Sequence, residues 1–264
     1  MTVVSENASS VTQPLARKHA LVTGGSRGIG AAIARALVAY GASVTITGRE
    51  KERLARAARE FGAAFVVGDV TDQEGVERAF ERATKDSGRV DILVNNAGQA
   101  VSAPFLKTDV ELLRRMLEVN LHGTFYFTQS ALPAMLDAGW GRIVNVASTA
   151  GLVGYAYVSA YCTAKHAVVG LTRALAIEVA TKGVTVNVVC PGYSDTDMVR
   201  EGVEKIVSKT SKTRDTVIAE LISRNPQKRL ILPDEAANAV AWLCLPGSEA
   251  INGQSIAVAG GEVM

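Results

Sequence analysis

The sequence is short of most groups that mark specialised protein classes. Of its 264 residues only three are cysteine (Cys162, Cys190, Cys244), irregularly spaced and without a CxxC pair. They read as reduced, isolated thiols and not as a disulfide framework, which points to a cytoplasmic protein. The three histidines, His19, His122 and His166, are scattered. Their spacing suits no metal, so none is expected. Net charge is only +2, too small a field to argue for nucleic acid or a membrane surface as partner. No apolar run reaches the roughly 18 residues that a membrane span needs. Met1 to Ala16 are rich in Ser, Thr, Val and Asn and lack the basic-then-apolar order of a signal peptide. Residues 1–16 therefore read as a flexible N-terminal tail.

What the chain has in quantity is hydrophobic residues, 48% of the total, enough for one large α/β domain over residues 17–264. Apolar runs alternate with helical patterns. Strands are expected at His19–Thr23, Ser43–Thr47, Ala64–Val67, Val90–Val94, Arg142–Ala147, Val184–Val189 and Ser255–Val258. Helices are expected at about Gly28–Tyr40, Glu50–Phe61, Asp72–Ser87, Val110–Ala138 with a bend at Pro133, and Val158–Thr181. Nearly continuous apolar strands suit a parallel sheet buried on both faces, and the strand–helix rhythm predicts a Rossmann-type doubly wound sheet of seven strands.

Two segments carry chemistry. Gly24-Gly25-Ser26-Arg27-Gly28-Ile29-Gly30 follows the first strand and opens the first helix. Glycines there let the backbone approach a pyrophosphate, and the helix N-terminus offers free N–H groups. Gly24, Ser26, Arg27, Gly28, Ile29 and Gly30 are candidate coenzyme contacts. The second segment is Tyr161-Cys162-Thr163-Ala164-Lys165, with Ser148 upstream. Residues i and i+4 share a helix face. An ammonium beside a phenol is expected to lower the phenol's pKa from its usual value near about 10 and fit it for proton transfer to a substrate oxygen.

The second strand ends Thr47-Gly48-Arg49. An acidic residue at Gly48 would hold the ribose hydroxyls of NAD. With Gly48 there, Arg27 and Arg49 either pair with the 2′-phosphate of NADP or are solvated surface charges. NADP(H) is the expected coenzyme, with NAD(H) as the alternative.

Taken in order, the Gly-xxx-Gly-x-Gly turn, Asn95-Asn96-Ala97-Gly98, Asn120, Ser148, Tyr161, Lys165 and Pro191-Gly192 with Thr196 resemble the short-chain dehydrogenase/reductase family from about His19 to Gly261. The resemblance implies catalytic roles for Asn120, Ser148, Tyr161 and Lys165. Tyr161 would be the general acid or base, Ser148 would hold the carbonyl oxygen, and Asn120 would steady a water linking Lys165 to solvent. Lys165 would also bond the nicotinamide ribose. Asp69 and Val70 would meet adenine; Asn96, Ala97 and Gly98 would line the floor under the coenzyme. Pro191, Gly192 and Thr196 would meet the nicotinamide. The family is mostly tetrameric, so a homotetramer is expected.

Residues 194–232 read as a substrate lid, with Tyr155 and Tyr193 as pocket walls. Between Arg200 and Arg229 there are eight Lys or Arg against four Asp or Glu. This excess either recruits an anionic carrier, CoA or a carrier protein, or belongs to a solvated helix pair. The expected activity is NADPH-dependent reduction of a small-molecule ketone, above all a 3-oxoacyl thioester. The alternatives are a dehydrogenase of an aryl or alicyclic alcohol and, less in keeping with the four catalytic residues, a dinucleotide-sensing regulator.

Overall fold

The computed structural model describes residues 13–264. The strands are β1 (His19–Thr23), β2 (Ser43–Gly48), β3 (Ala64–Val67), β4 (Ile92–Asn95), β5 (Gly141–Val146), β6 (Val184–Pro191) and β7 (Ser255–Val258). All pair in parallel, in the order β3-β2-β1-β4-β5-β6-β7. β1, β4, β5 and β6 are buried along their whole length, which is why they are written as unbroken apolar runs. The expected doubly wound sheet is what forms.

Two cores fill its two faces. On one, α1 (Gly28–Ala39), α2 (Lys51–Phe61) and α9 (Pro233–Cys244) pack Ile33, Leu37, Leu54 and Val240 against Val22, Ile46 and Val94. On the other, α3 (Gln73–Ser87), α5 (Gly123–Asp137) and α6 (Ser159–Glu178) pack Val76, Phe127, Met135 and Ala176 against Leu21, Leu93 and Ile143. Burying both faces drives the fold, since each fully buried aliphatic side chain contributes roughly 1.5–3 kcal/mol.

Several boundaries differ from expectation by one or two residues, and three elements differ in kind. The helix expected over residues 110–138 is α4 (Val110–Leu117), a π-helical turn (Glu118–His122) and α5. The irregularity falls at Asn120 and not at the expected bend, Pro133, which lies inside α5. The lid region carries two helices, α7 (Asp197–Val207) and α8 (Arg214–Leu221), closed at its base by a bridge between Ser194 and Ile231. α9 adds a helix to those expected. Its start is written as Pro233 in the first turn and Glu235 accepting from Leu232 N at 2.8 Å, a helix-start signature.

Most of the expected tail lies outside the described residues. Its last four, Gln13–Ala16, belong to the folded body: Leu15 is buried and its N–H donates to Tyr40 O. No described helix is long and apolar enough to cross a membrane.

Candidate active site

The order of strands reverses direction between β1 and β4, and ligands of such sheets bind outside the carboxyl ends at that point. The turn after β1 and the segment Asn95–Gly98 after β4 meet there. Gly24 (φ +63°) and Gly28 (φ +54°) take left-handed backbone. A Cβ on Gly30 would lie 2.3 Å from Gly24 O, so no side chain fits. The opening of α1 is thus a bare backbone cradle, which suits a dinucleotide pyrophosphate. Ser26 and Ile29 are half-buried beside it.

Thr23 Oγ1 accepts from Asn96 N and Ala97 N, both at 3.0 Å, and Asn96 Nδ2 donates to Thr23 O and Gly24 O. The Asn96 amide therefore holds the turn itself. Gly28 faces Thr196: its missing Cβ would sit 3.2 Å from Thr196 Cγ2. The glycine turn and the loop after β6 are thereby brought together. Pro191 ends β6, Gly192 N donates to Val258 O, and Thr196 immediately precedes α7, its hydroxyl donating to Ser194 O.

At the end of β2, Arg49 is 77% exposed and its Nη1 stands 3.9 Å from Asp69 Oδ2. Arg27 Nη1 stands 3.6 Å from Glu201 Oε1. Both pairs are long and exposed, so neither holds its arginine firmly. Asp69 Oδ1 accepts from Thr71 N and Oγ1, and Val70 packs against Gly123. A cavity of about 390 Å³ lies on this outer side of the turn, lined by Arg27, Gly28, Arg35, Arg53, Arg56 and Asp195 among others.

Ser148 follows β5, and its Oγ accepts from Ala150 N. Tyr161 and Lys165 stand in the first two turns of α6. Lys165 is 4% exposed, and its Nζ donates to Val146 O at 2.9 Å and lies 5.7 Å from the centre of the Tyr161 ring. Here the electrostatics differ from expectation. Burial pushes the Tyr161 phenol up to about 12, with a hydrogen bond from the Ser148 side chain working the other way. Burial also pulls Lys165 down to about 8. Desolvation is the largest cause of both shifts, and the Lys165 ammonium bonds Val146 O. A phenol with that value keeps its proton at neutral pH.

Asn120 is fully buried in the π turn. Its Nδ2 donates to Gln99 O and Met116 O, and its Oδ1 accepts from Gln99 N. Its amide therefore bonds backbone groups and ties the loop after β4 to the helix. Gly98 lets this happen: a Cβ there would lie 2.8 Å from Asn120 Oδ1 and 3.5 Å from Lys165 Nζ.

On the substrate side Tyr155 and Tyr193 meet edge to face at 6.3 Å. Tyr155 bonds Thr149 Oγ1 at 2.8 Å and Glu262 Oε1 at 2.6 Å. Tyr193 is among the groups whose charge, like burial, acts to raise the pKa of Tyr161. Glu262 was not among the residues expected here; the Gly260-Gly261 pair after β7 was its only signal. Tyr157, the phenol nearest Tyr161 in sequence, is 64% exposed. Asp195 and Asp197 face Arg200, at 2.9 and 3.9 Å, and among the described residues no cluster of His, Cys, Asp or Glu could hold a metal ion.

Residues 18–206 match the family model described as short chain dehydrogenase. The chain is 40% identical to the acetoacetyl-CoA reductase of Rhizobium meliloti, over 92% of this chain and 97% of that protein. It is 40% identical to the cis-4-hydroxycyclohexanecarboxylate dehydrogenase of Sinomonas cyclohexanicum, over 94% and 98%. Among solved structures, actinorhodin polyketide ketoreductase with NADPH superposes with a TM-score of 0.90 at 36% identity, covering 96% of this chain and 99% of that one. Fold, site geometry and sequence agree, and the chain belongs to the short-chain dehydrogenase family, as an oxidoreductase acting on CH–OH groups.

Proposed function

We propose that the protein is an NADP(H)-preferring ketoreductase whose substrate is a 3-oxoacyl thioester or a related ketone. The observation that carries this reading is the convergence of Ser148, Tyr161 and Lys165 at the carboxyl ends of β5 and β6, next to the glycine cradle at the β1/β4 reversal. When bound, the nicotinamide supplies or accepts the hydride. The chain's own groups do the rest. Ser148 donates to the carbonyl oxygen and positions it. Tyr161, protonated at neutral pH, delivers its proton to that oxygen as charge develops. Lys165 is the nearby cation, and Asn120 holds the Gln99 loop against the π turn that shapes this end of the site.

Gly48, with Arg27 and Arg49 loosely paired nearby, supports the preference for a 2′-phosphate. The ratio of kcat/KM with NADPH to that with NADH tests it. A ratio of at least about ten, or 1.4 kcal/mol, is expected; a preference for NADH rejects the coenzyme assignment.

Thioester substrates are favoured by likeness to the acetoacetyl-CoA reductase and by the basic excess of residues 200–229. A second reading, oxidation of an alicyclic alcohol, draws on likeness to the cyclohexanecarboxylate enzyme. Turnover of acetoacetyl-CoA against a panel of free cyclic and aryl ketones separates them, and activity on the free ketones alone rejects the thioester reading. A sensing regulator would bind coenzyme without turning over any of them. Outward apolar residues on α5 and α6, Phe125 and Ile177, support assembly into a homotetramer, and the irregular free thiols support a cytoplasmic setting.

A further inference from the structure

Two segments distant in sequence, at Tyr155 and Gly192, meet at the Glu262 carboxylate, and a third packs on the turn that carries it. After β7 the chain turns through Gly260 (φ +61°) and Gly261 (φ +89°), and Glu262 N donates to Ala259 O. A Cβ on Gly260 would strike Asn225 Oδ1 at 2.4 Å, and one on Gly261 would touch Pro226. The bare turn therefore lies flat on the end of the lid. Asn225 is itself buried and holds that end through Gln227 N and Arg229 O. This packing delivers Glu262 to the substrate side. Its Oε1 lies 2.6 Å from the Tyr155 hydroxyl, and its Oε2 would be 3.1 Å from a Cβ on Gly192.

A phenol has one proton and a carboxylate only accepts. The chain of bonds therefore runs one way: Thr149 donates to Tyr155, and Tyr155 donates to Glu262. Thr149 adjoins Ser148, and Tyr193, which packs on Tyr155, is the electrostatic neighbour of Tyr161. The negative charge is thus held by a neutral phenol, half-buried, between Tyr155 and the backbone at Gly192, and that phenol is one hydrogen bond from the Thr149 that adjoins Ser148. The neighbouring cation, Arg224, faces the Tyr155 ring at 5.4 Å and not its hydroxyl.

We propose that Glu262 determines specificity by excluding ketones that carry a carboxylate close to the reacting carbonyl. It selects those whose acyl end is neutral, such as a thioester, ester or ring ketone. The inference rests on the carbonyl-reductase reading of the site. A like charge brought into a partly desolvated cleft is penalised far more than in water, and such repulsion is a common means of discrimination.

The test compares acetoacetate with methyl acetoacetate, which share the ketone and differ in charge. The full-length enzyme with NADPH is expected to favour the ester in kcat/KM by at least about tenfold. Glu262→Gln keeps the size and an acceptor for Tyr155, and should narrow that ratio about tenfold, chiefly through a lower KM for acetoacetate. Tyr155→Phe removes the hydrogen bond but leaves the charge, so the ester should stay favoured. A merely structural role for Glu262 would lower both substrates together; an unmoved ratio in Glu262→Gln overturns the proposal. So does a wild-type preference for acetoacetate that Arg224→Gln abolishes. If neither ketone is reduced, and acetoacetyl-CoA and the cyclic and aryl ketones are not reduced either, the reductase reading itself fails. The pair is then compared by calorimetric binding to the NADPH-loaded protein, where equal discrimination in wild type and Glu262→Gln overturns this proposal separately.

Discussion

At the scale of single residues, the proposed catalytic group is defined by which side chains hold a proton and which are buried. Tyr161 sits above the ordinary phenol range and Lys165 below the ordinary ammonium range, both because burial penalises charge. Tyr161→Phe removes the proton donor and should lower kcat by roughly 10²–10⁴ while leaving coenzyme affinity, read by fluorescence titration, near wild type. Lys165 makes a second, signed prediction. Its native pKa of about 8 lies below its ordinary 10.5. The unfolded chain therefore binds more protons between those values, and stability should rise with pH across that window. The burial cost is complete below pH about 8 and vanishes above the ordinary value. Lys165→Met should lose this rise, on the order of 1–3 kcal/mol, in denaturant titrations compared with wild type. It should also abolish turnover. The identities of these residues were legible in the sequence, because i, i+4 spacing is a local property. The direction of the Tyr161 shift was not, because it depends on how much protein surrounds the hydroxyl and on Lys165 bonding Val146 O.

At the scale of elements, the site depends on backbone that departs from regular geometry. The glycine turn was readable, since only glycine tolerates its left-handed positions. Gly30→Ala is the sharpest probe of it. The new methyl would meet Gly24 O and Asn96 Nδ2 at 2.3 and 2.4 Å, and the first of these is backbone that has no rotamer to yield. Coenzyme affinity by fluorescence titration should fall about tenfold or more, with the far-ultraviolet circular dichroism unchanged; unaltered affinity would show that the turn does not hold the dinucleotide. The π turn at Glu118–His122 was not readable. Its extra residue is accommodated because Asn120 reaches back to Met116 O and across to the loop at Gln99, and nothing in the local pattern announces that loop. Such turns recur at functional sites. Helix α9 has a local start signal in Pro233 and Glu235, set directly after a basic segment whose composition does not announce it.

At the scale of the whole molecule, the sheet is pinned at the end opposite the site by His19. Its ring bonds Gly88 O and Thr45 Oγ1, and its N–H donates to Asp91, joining β1, β2 and the connection between α3 and β4. Burial lowers the His19 pKa from 6.5, opposed by the Gly88 carbonyl and by Asp91. Because the native value is the lower one, stability is complete above 6.5 and is lost as pH falls through the native pKa. Thermal midpoints measured between about pH 5 and pH 8 should therefore drop on the acid side, and His19→Gln should flatten that difference. A slope identical in both proteins would mean that other groups carry the acid sensitivity.

The sequence by itself determined the strand–helix alternation, the parallel sheet, the glycine turn and the spacing of the candidate residues Asn120, Ser148, Tyr161 and Lys165. Each rests on spacing within a short window, where covalent geometry and periodicity leave few choices. The tertiary structure alone decided which way burial moves Tyr161 and Lys165, that Asn120 belongs to a π turn, and that Glu262 reaches Tyr155 from 107 positions away. These are consequences of desolvation and of contacts between segments distant along the chain, and they exist only once the sheet has brought those segments to one edge.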